Sequence, residues 1–183
     1  MTNSDIVLET ERLTLRLFNE KDAPFIHRLY NTDGFLEFVG DKNIRSDIDA
    51  AVYLRASLMP MYAQTNMGLF AVEEKQSGQP IGTCGLIKRD TLDDIDLGYG
   101  FLPTHEGMGY ASEAAIAVLD LAKSALKLTQ IVAITHPHNA RSVALLKRLG
   151  FRIESSVKQA PELLLLKRDL KESITTACRL QLE

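Results

Sequence analysis

Cysteine is nearly missing from this chain: Cys84 and Cys178 are the two in 183 residues. Far apart and few, they offer neither a disulfide framework nor paired zinc ligands, which suits a reducing cytosol. Lysine and arginine never run longer than a pair, so no basic nucleic-acid surface is expected. The longest aliphatic run, 163–166, is far too short to cross a bilayer. The first thirteen residues carry charges where a signal peptide needs its apolar stretch. Walker-type P-loop spacing, internal repeats and low-complexity segments are also missing. What remains is an ordinary globular composition: 45% apolar, 25% charged, net charge −3. Residues 1–183 read as one cytoplasmic domain, with a core over about 8–170 and a polar tail at 171–183.

Hydrophobic periodicity predicts strands at 12–18, 67–74, 80–88, 94–102, 129–135, 151–157 and 162–168. Asn19 is placed to cap a helix over 20–30, and Ser46 a second one that Pro60 kinks or ends. Residues 31–45 read as a loop. A helix begins after Gly109 and runs to about Lys127; another opens at Asn139 and stops at Gly150. The order β-α-α-β-β-β-α-β-α-β-β predicts an α/β fold with a mixed sheet and helices on its faces.

Three segments carry chemistry. In 94–102, alternation puts Ile95, Leu97, Tyr99 and Phe101 on one face and Asp96, Gly98, Gly100 and Leu102 on the other. The bare glycine face fits close packing or a groove for an extended ligand. Just downstream, Gly107-Met108-Gly109 leads into a helix rich in alanine. Helix first turns leave N–H groups unpaired and carry partial positive charge, and glycine lets a ligand approach them. An anion cradle is expected there, one that suits a pyrophosphate. Third, Asn139 caps a helix in which Ser142 stands one turn in. The His136 and His138 pair lacks further ligands and reads as structural, not as a metal site.

Together these segments resemble the GNAT superfamily of acyl-CoA N-acyltransferases. The pattern [QR]-x-x-G-x-[GA] corresponds to Thr104-His105-Glu106-Gly107-Met108-Gly109. The pattern N-x-x-[SA] followed by L-G-F corresponds to the stretch from Asn139 to Phe151. Leu8-Glu9-Thr10-Glu11-Arg12-Leu13-Thr14-Leu15-Arg16 and Ile81-Gly82-Thr83-Cys84-Gly85-Leu86 are similar to the ribosomal-protein N-terminal acetyltransferase branch. The resemblance implies a central, mostly antiparallel sheet, splayed by a bulge near Gly98 and Gly100, with helices on both faces. It implies acetyl-CoA as co-substrate, held by Phe101, Leu102, Gly107, Met108, Gly109, Tyr110, Ala111, Asn139 and Ser142. The implied reaction is direct attack by a primary amine within a ternary complex, with a β-strand N–H polarising the thioester.

Thr104 departs from Gln or Arg, and Leu146 stands where many relatives carry a proton-donating tyrosine. Ser142 is then the expected donor to the thiolate, or else only a cap or cofactor contact. Asp96 is named as a base candidate on the groove side, against the plainer reading of a solvated aspartate. A protein or peptide N-terminal amine is the expected acceptor. The rivals are a small-molecule amine such as an antibiotic or polyamine, a non-catalytic acyl-CoA-binding module, and a nucleotide-binding protein. Tyr30, Phe35 and Phe38 line the acceptor pocket or belong to the core. The last strand offers an edge for pairing with a second copy.

Overall fold

A computed structural model describes residues 6–65 and 67–171. Its strands are β1 (Ile6–Glu9), β2 (Leu13–Arg16), β3 (Leu69–Glu74), β4 (Gln79–Ile87), β5 (Asp96–Phe101), β6 (Gln130–Thr135), β7 (Arg152–Val157) and β8 (Ala160–Asp169). Its helices are α1 (Ala23–Tyr30), α2 (Asp33–Phe38), α3 (Asp47–Tyr53), α4 (Met59–Thr65), α5 (Tyr110–Ser124) and α6 (Ala140–Arg148). The strands form one sheet in the order β1-β2-β3-β4-β5-β6-β8-β7. Each described neighbour pair is antiparallel except β5 and β6.

Apolar side chains leave both faces of this sheet. On one, Leu97, Phe101 and Ile131 pack with Ala114, Ala115, Val118 and Leu119 of α5 and with Leu145, Leu146 and Leu149 around α6. Small residues let α5 lie close: Ala114, Ala115 and Ala122 are fully buried. On the other face, Leu69, Ala71 and Ile87 meet Phe25, Ile26, Leu29, Phe35, Leu54 and Leu58 from the α1–α4 layer. This is the expected mixed α/β sheet with helices on both faces.

A buried charge cluster ties that second layer down. Arg16 of β2 donates to both carboxylate oxygens of Asp22 at 2.8 Å and pairs with Glu73 of β3. Asp22 also accepts from the Asn19 backbone N–H at 2.9 Å, closing the capping box that starts the turn into α1. The Asp22 and Glu73 carboxylates raise the guanidinium pKa further, although burial opposes them.

Four elements differ from the sequence reading. β1 was not expected; four residues near a terminus give too short a pattern. α2 occupies part of the expected loop at 31–45, as a six-residue helix too short to show a period. Pro60 neither ends nor breaks its helix; a π turn, Leu54–Leu58, precedes it and the helix resumes as α4. Widening the turn there accommodates a ring that would otherwise press on the carbonyl four residues back. α5 stops at Ser124, before Lys127, whose φ is +55°. The expected tail, 171–183, lies outside the described residues from 172 onward.

Because all three partners of the Arg16 cluster are buried, removing one leaves uncompensated charge. Arg16→Ala is expected to cost about 3–5 kcal/mol of unfolding free energy, measured by urea denaturation.

Candidate active site at the parting of two strands

β5 and β6 share a single bridge, Asp96 with Val132, where the Val132 N–H donates to the Ile95 carbonyl at 2.9 Å. Beyond it the strands diverge. The register of β5 on β4 runs without a shift from Ile87 and Asp96 to Gly82 and Phe101, so the opening lies wholly on the β6 side. Backbone groups alternate direction along a strand. Those of Tyr99 and Phe101 therefore point the same way as the Ile95 carbonyl, into the gap. Leu102 points the other way, donating to the Ile81 carbonyl at 2.9 Å, while its own carbonyl accepts from the His105 N–H. The backbone N–H of Leu102 is therefore spent inside the fold.

The glycine face of β5 is packed, not a groove. A Cβ at Gly100 would lie 2.8 Å from Phe35 Cε2, and one at Gly98 would lie 2.8 Å from Ile87 Cδ1. Phe35 also stacks on Tyr30 with ring centroids 4.2 Å apart. The space for an extended ligand is instead the edge between β5 and β6.

At the far end of β5, a 3-10 turn, Pro103–His105, leads to Gly107 at φ +76° and Gly109 at φ +83°. Both lie in the left-handed region that glycine adopts readily. Gly109 is the N-cap of α5 and has no side chain to satisfy the N–H groups of the first turn, among them Tyr110 and Ala111. The Met108 side chain points outward, 52% exposed, and the Tyr110 ring is buried. A cradle of backbone donors is what these residues supply.

Across the gap, Asn139 caps α6 as expected, its Oδ1 accepting from the Ser142 N–H at 3.1 Å. Ser142 Oγ lies 2.9 Å from the Tyr99 hydroxyl. Period two placed Tyr99 on a core face, and nothing in the sequence linked it to a serine 43 positions later. Burial raises the Tyr99 pKa to about 12, against a smaller lowering by its Ser142 hydrogen bond. Leu146 is buried in the core beside α5.

Asp96 is not a solvated aspartate. Its side chain is 1% exposed at the apex of the opening, and Oδ2 accepts from Arg89 Nε at 2.6 Å. Oδ1 is buried and makes no well-formed hydrogen bond among the described residues, while the Ile134 backbone N–H acts on the same carboxyl. Burial raises its pKa, outweighing the attraction of Arg89. At the end of β6, His136 packs near Phe38 of α2 and stacks on His138, with centroids 6.4 Å and 5.7 Å away. His136 Nδ1 is likewise buried and without a partner among the described residues. A separate cleft of about 460 Å³ opens beside the 3-10 turn, lined by Arg28, Pro80, Ile81, Leu102 and His105.

The parting thus brings together an unpaired strand edge, backbone donors at a helix N-terminus, and hydroxyl and carboxyl groups. The model of the GNAT acetyltransferase domain matches residues 12–152. The chain belongs to that family and is an acetyltransferase. It is 30% identical over 156 residues to the uncharacterized N-acetyltransferase YoaA of Bacillus subtilis, covering 84% of this chain and 86% of that one. An acetyltransferase structure from Agrobacterium tumefaciens superposes with a TM-score of 0.76 at 26% identity, over 88% of this chain and 92% of that one. The ribosomal-protein-S5-alanine acetyltransferase of Vibrio fischeri shares the fold with a TM-score of 0.68 at 20% identity, over 92% and 98%. Among the described residues, no helix is long and apolar enough to cross a membrane.

A raised folded-state pKa means the neutral carboxyl is favoured on folding. The contribution of Asp96 to stability is thus present in acid and lost as pH rises through its folded value. Asp96→Asn is expected to gain stability relative to the parent between about pH 4, near the ordinary aspartate value, and neutrality. Paired denaturation curves across that range check the sign.

Proposed function

We propose that this chain transfers an acetyl group from acetyl-CoA to a primary amine, and that its acceptor is the N-terminal amine of a protein or peptide. The observation that carries the reading is the parting of β5 and β6 directly before a backbone anion cradle. Amide groups of a pantetheine arm pair with the outward Phe101 N–H and with the outward carbonyls of Tyr99 and Phe101, as a strand would. The cradle from Gly107 to Ala111 takes the pyrophosphate. Asn139 Oδ1 is spent on Ser142, which leaves its amide NH₂ to meet the arm. Leu102 is left out of the donor set.

Bound acetyl-CoA supplies a thioester carbon; the amine nitrogen bonds to it and gives up one proton, the C–S bond breaks, and the departing sulfur gains one proton from solvent. The Tyr99 N–H polarises the thioester oxygen. Asp96 Oδ1 receives the amine proton. Its upward pKa shift moves it toward neutral pH, where a base works best. An α-amine, at about 7.7–8.0, is partly neutral already and needs less help than a lysine at about 10.4. That difference favours an N-terminal amine for a carboxylate base. So does the resemblance of the opening motif to ribosomal-protein acetyltransferases.

The hydroxyl pair serves the leaving sulfur. A phenol near pKa 12 is a poor proton source for a thiolate near 8.5; full transfer would run uphill by on the order of 5 kcal/mol. Tyr99 and Ser142 therefore hold a hydrogen bond at sulfur and relay a proton instead of supplying one.

Incubating the protein and acetyl-CoA with a peptide library and reading mass gain by one acetyl group tests the function. N-terminal labelling is expected. Thermal stabilisation by ATP but not by acetyl-CoA, with no peptide labelled, would overturn it. Ser142→Ala and Tyr99→Phe are each expected to lower kcat by about ten- to a hundredfold, the worth of a hydrogen bond to a charged group. Unchanged kcat across pH removes the sulfur role, and an Asp96→Asn enzyme with the parental pH–rate profile removes the base.

A further inference from the structure

The cradle carries an electrostatic conflict. Glu113 stands in the first turn of α5, next to the place where a pyrophosphate would sit. A bare carboxylate there would repel the ligand that the helix terminus attracts. The turn between β1 and β2 removes the conflict. Arg12 pairs with Glu113 through Nε at 2.7 Å and through its own backbone N–H at 2.9 Å, and Thr10 Oγ1 donates to the same carboxylate at 2.6 Å. The hydrogen bonds from Thr10 and Arg12 outweigh burial, which opposes them, and hold the Glu113 pKa below its usual value.

The same guanidinium reaches the loop itself. Arg12 Nη1 donates to the Met108 carbonyl at 3.0 Å, and Arg12 Cζ lies 4.5 Å from the centre of the Tyr110 ring. In a trans peptide the carbonyl and the following N–H point to opposite sides. Drawing the Met108 carbonyl toward Arg12 therefore turns the Gly109 N–H away from it. Nη2 stands 3.2 Å from the point where a Gly109 Cβ would be. Glycine at 109 thus serves twice, for its positive φ and for the approach of this cation.

We propose that Arg12 is a positioning residue of the coenzyme A pyrophosphate site: it orients the Met108–Gly109 peptide so that the Gly109 N–H faces the anion, and it neutralises Glu113 beside the cradle. The inference rests on the acetyl-CoA reading above. It assigns work to a residue more than ninety positions before the cradle, outside both coenzyme A motifs of the chain.

Calorimetric titration with coenzyme A and with pantetheine, which lacks the pyrophosphate, separates the two claims. The parent protein is expected to bind coenzyme A at least tenfold more tightly than pantetheine. Arg12→Ala is expected to lose about tenfold or more for coenzyme A, equivalent to one charge-assisted hydrogen bond, while pantetheine affinity stays within about twofold. Arg12→Lys, which keeps the charge but not the forked contact, falls between them. Adding Glu113→Gln to Arg12→Ala should recover part of the loss by removing the unpaired carboxylate. If Arg12→Ala does not fold, as judged by circular dichroism, the comparison is read on Arg12→Lys alone, with a loss of threefold or more for coenzyme A expected. Equal losses for both ligands, or no loss for either, would overturn the role of Arg12. A parent protein that binds pantetheine as tightly as coenzyme A would instead overturn the cradle.

Discussion

One backbone hydrogen bond decides what this sheet can do. The Val132 N–H reaches the Ile95 carbonyl, and past that point β5 and β6 no longer pair. Unpaired backbone groups inside a protein are costly unless something meets them. Here they form the slot proposed for the pantetheine arm. Everything else in the site is arranged around that slot: the glycine cradle at its outer end, the Tyr99 and Ser142 hydroxyls across it, and Asp96 at its apex.

Holding two parallel strands apart requires rigid layers on both faces. α5 supplies one, laid close on the sheet by its alanines and fixed at its N-terminus by left-handed Gly109. The α1–α4 layer supplies the other. It is tied to β2 and β3 by the buried Arg16 cluster, and Phe35 of this layer seats against β5 where Gly100 leaves room. α2 also carries Phe38 near His136, the residue just past β6, so one short helix reaches toward both diverging strands. The groups proposed to react thus sit between two packed layers.

Much of this was legible because certain residues have few alternatives. Gly107 and Gly109 announced a left-handed loop, since other residues rarely adopt that conformation, and both have positive φ. Asn139 announced a cap and makes one, and Gly150 ends α6 at φ +85°. Period-two patterns located β2 to β8 to within a few residues. Features that depend on distant partners were not legible. Alternation placed Asp96 on the glycine face, yet only the fold shows that this face is filled and that Arg89 pairs with the buried carboxyl. Tyr99 looked like core until α6 brought Ser142 against it. The clamp of Thr10 and Arg12 on Glu113 joins residues about a hundred positions apart, and no local pattern encodes such a contact.

The central claim is that the edge of β5 and the cradle before α5 together hold coenzyme A. Amide chemical shifts followed by NMR during titration with coenzyme A read both places at once. Binding there predicts large changes at Tyr99, Phe101, the stretch from Gly107 to Ala111, and Ser142, with small ones along β1 and β7. Changes confined to the cleft around Arg28 and Ile81, or none at all at saturating ligand, would contradict it.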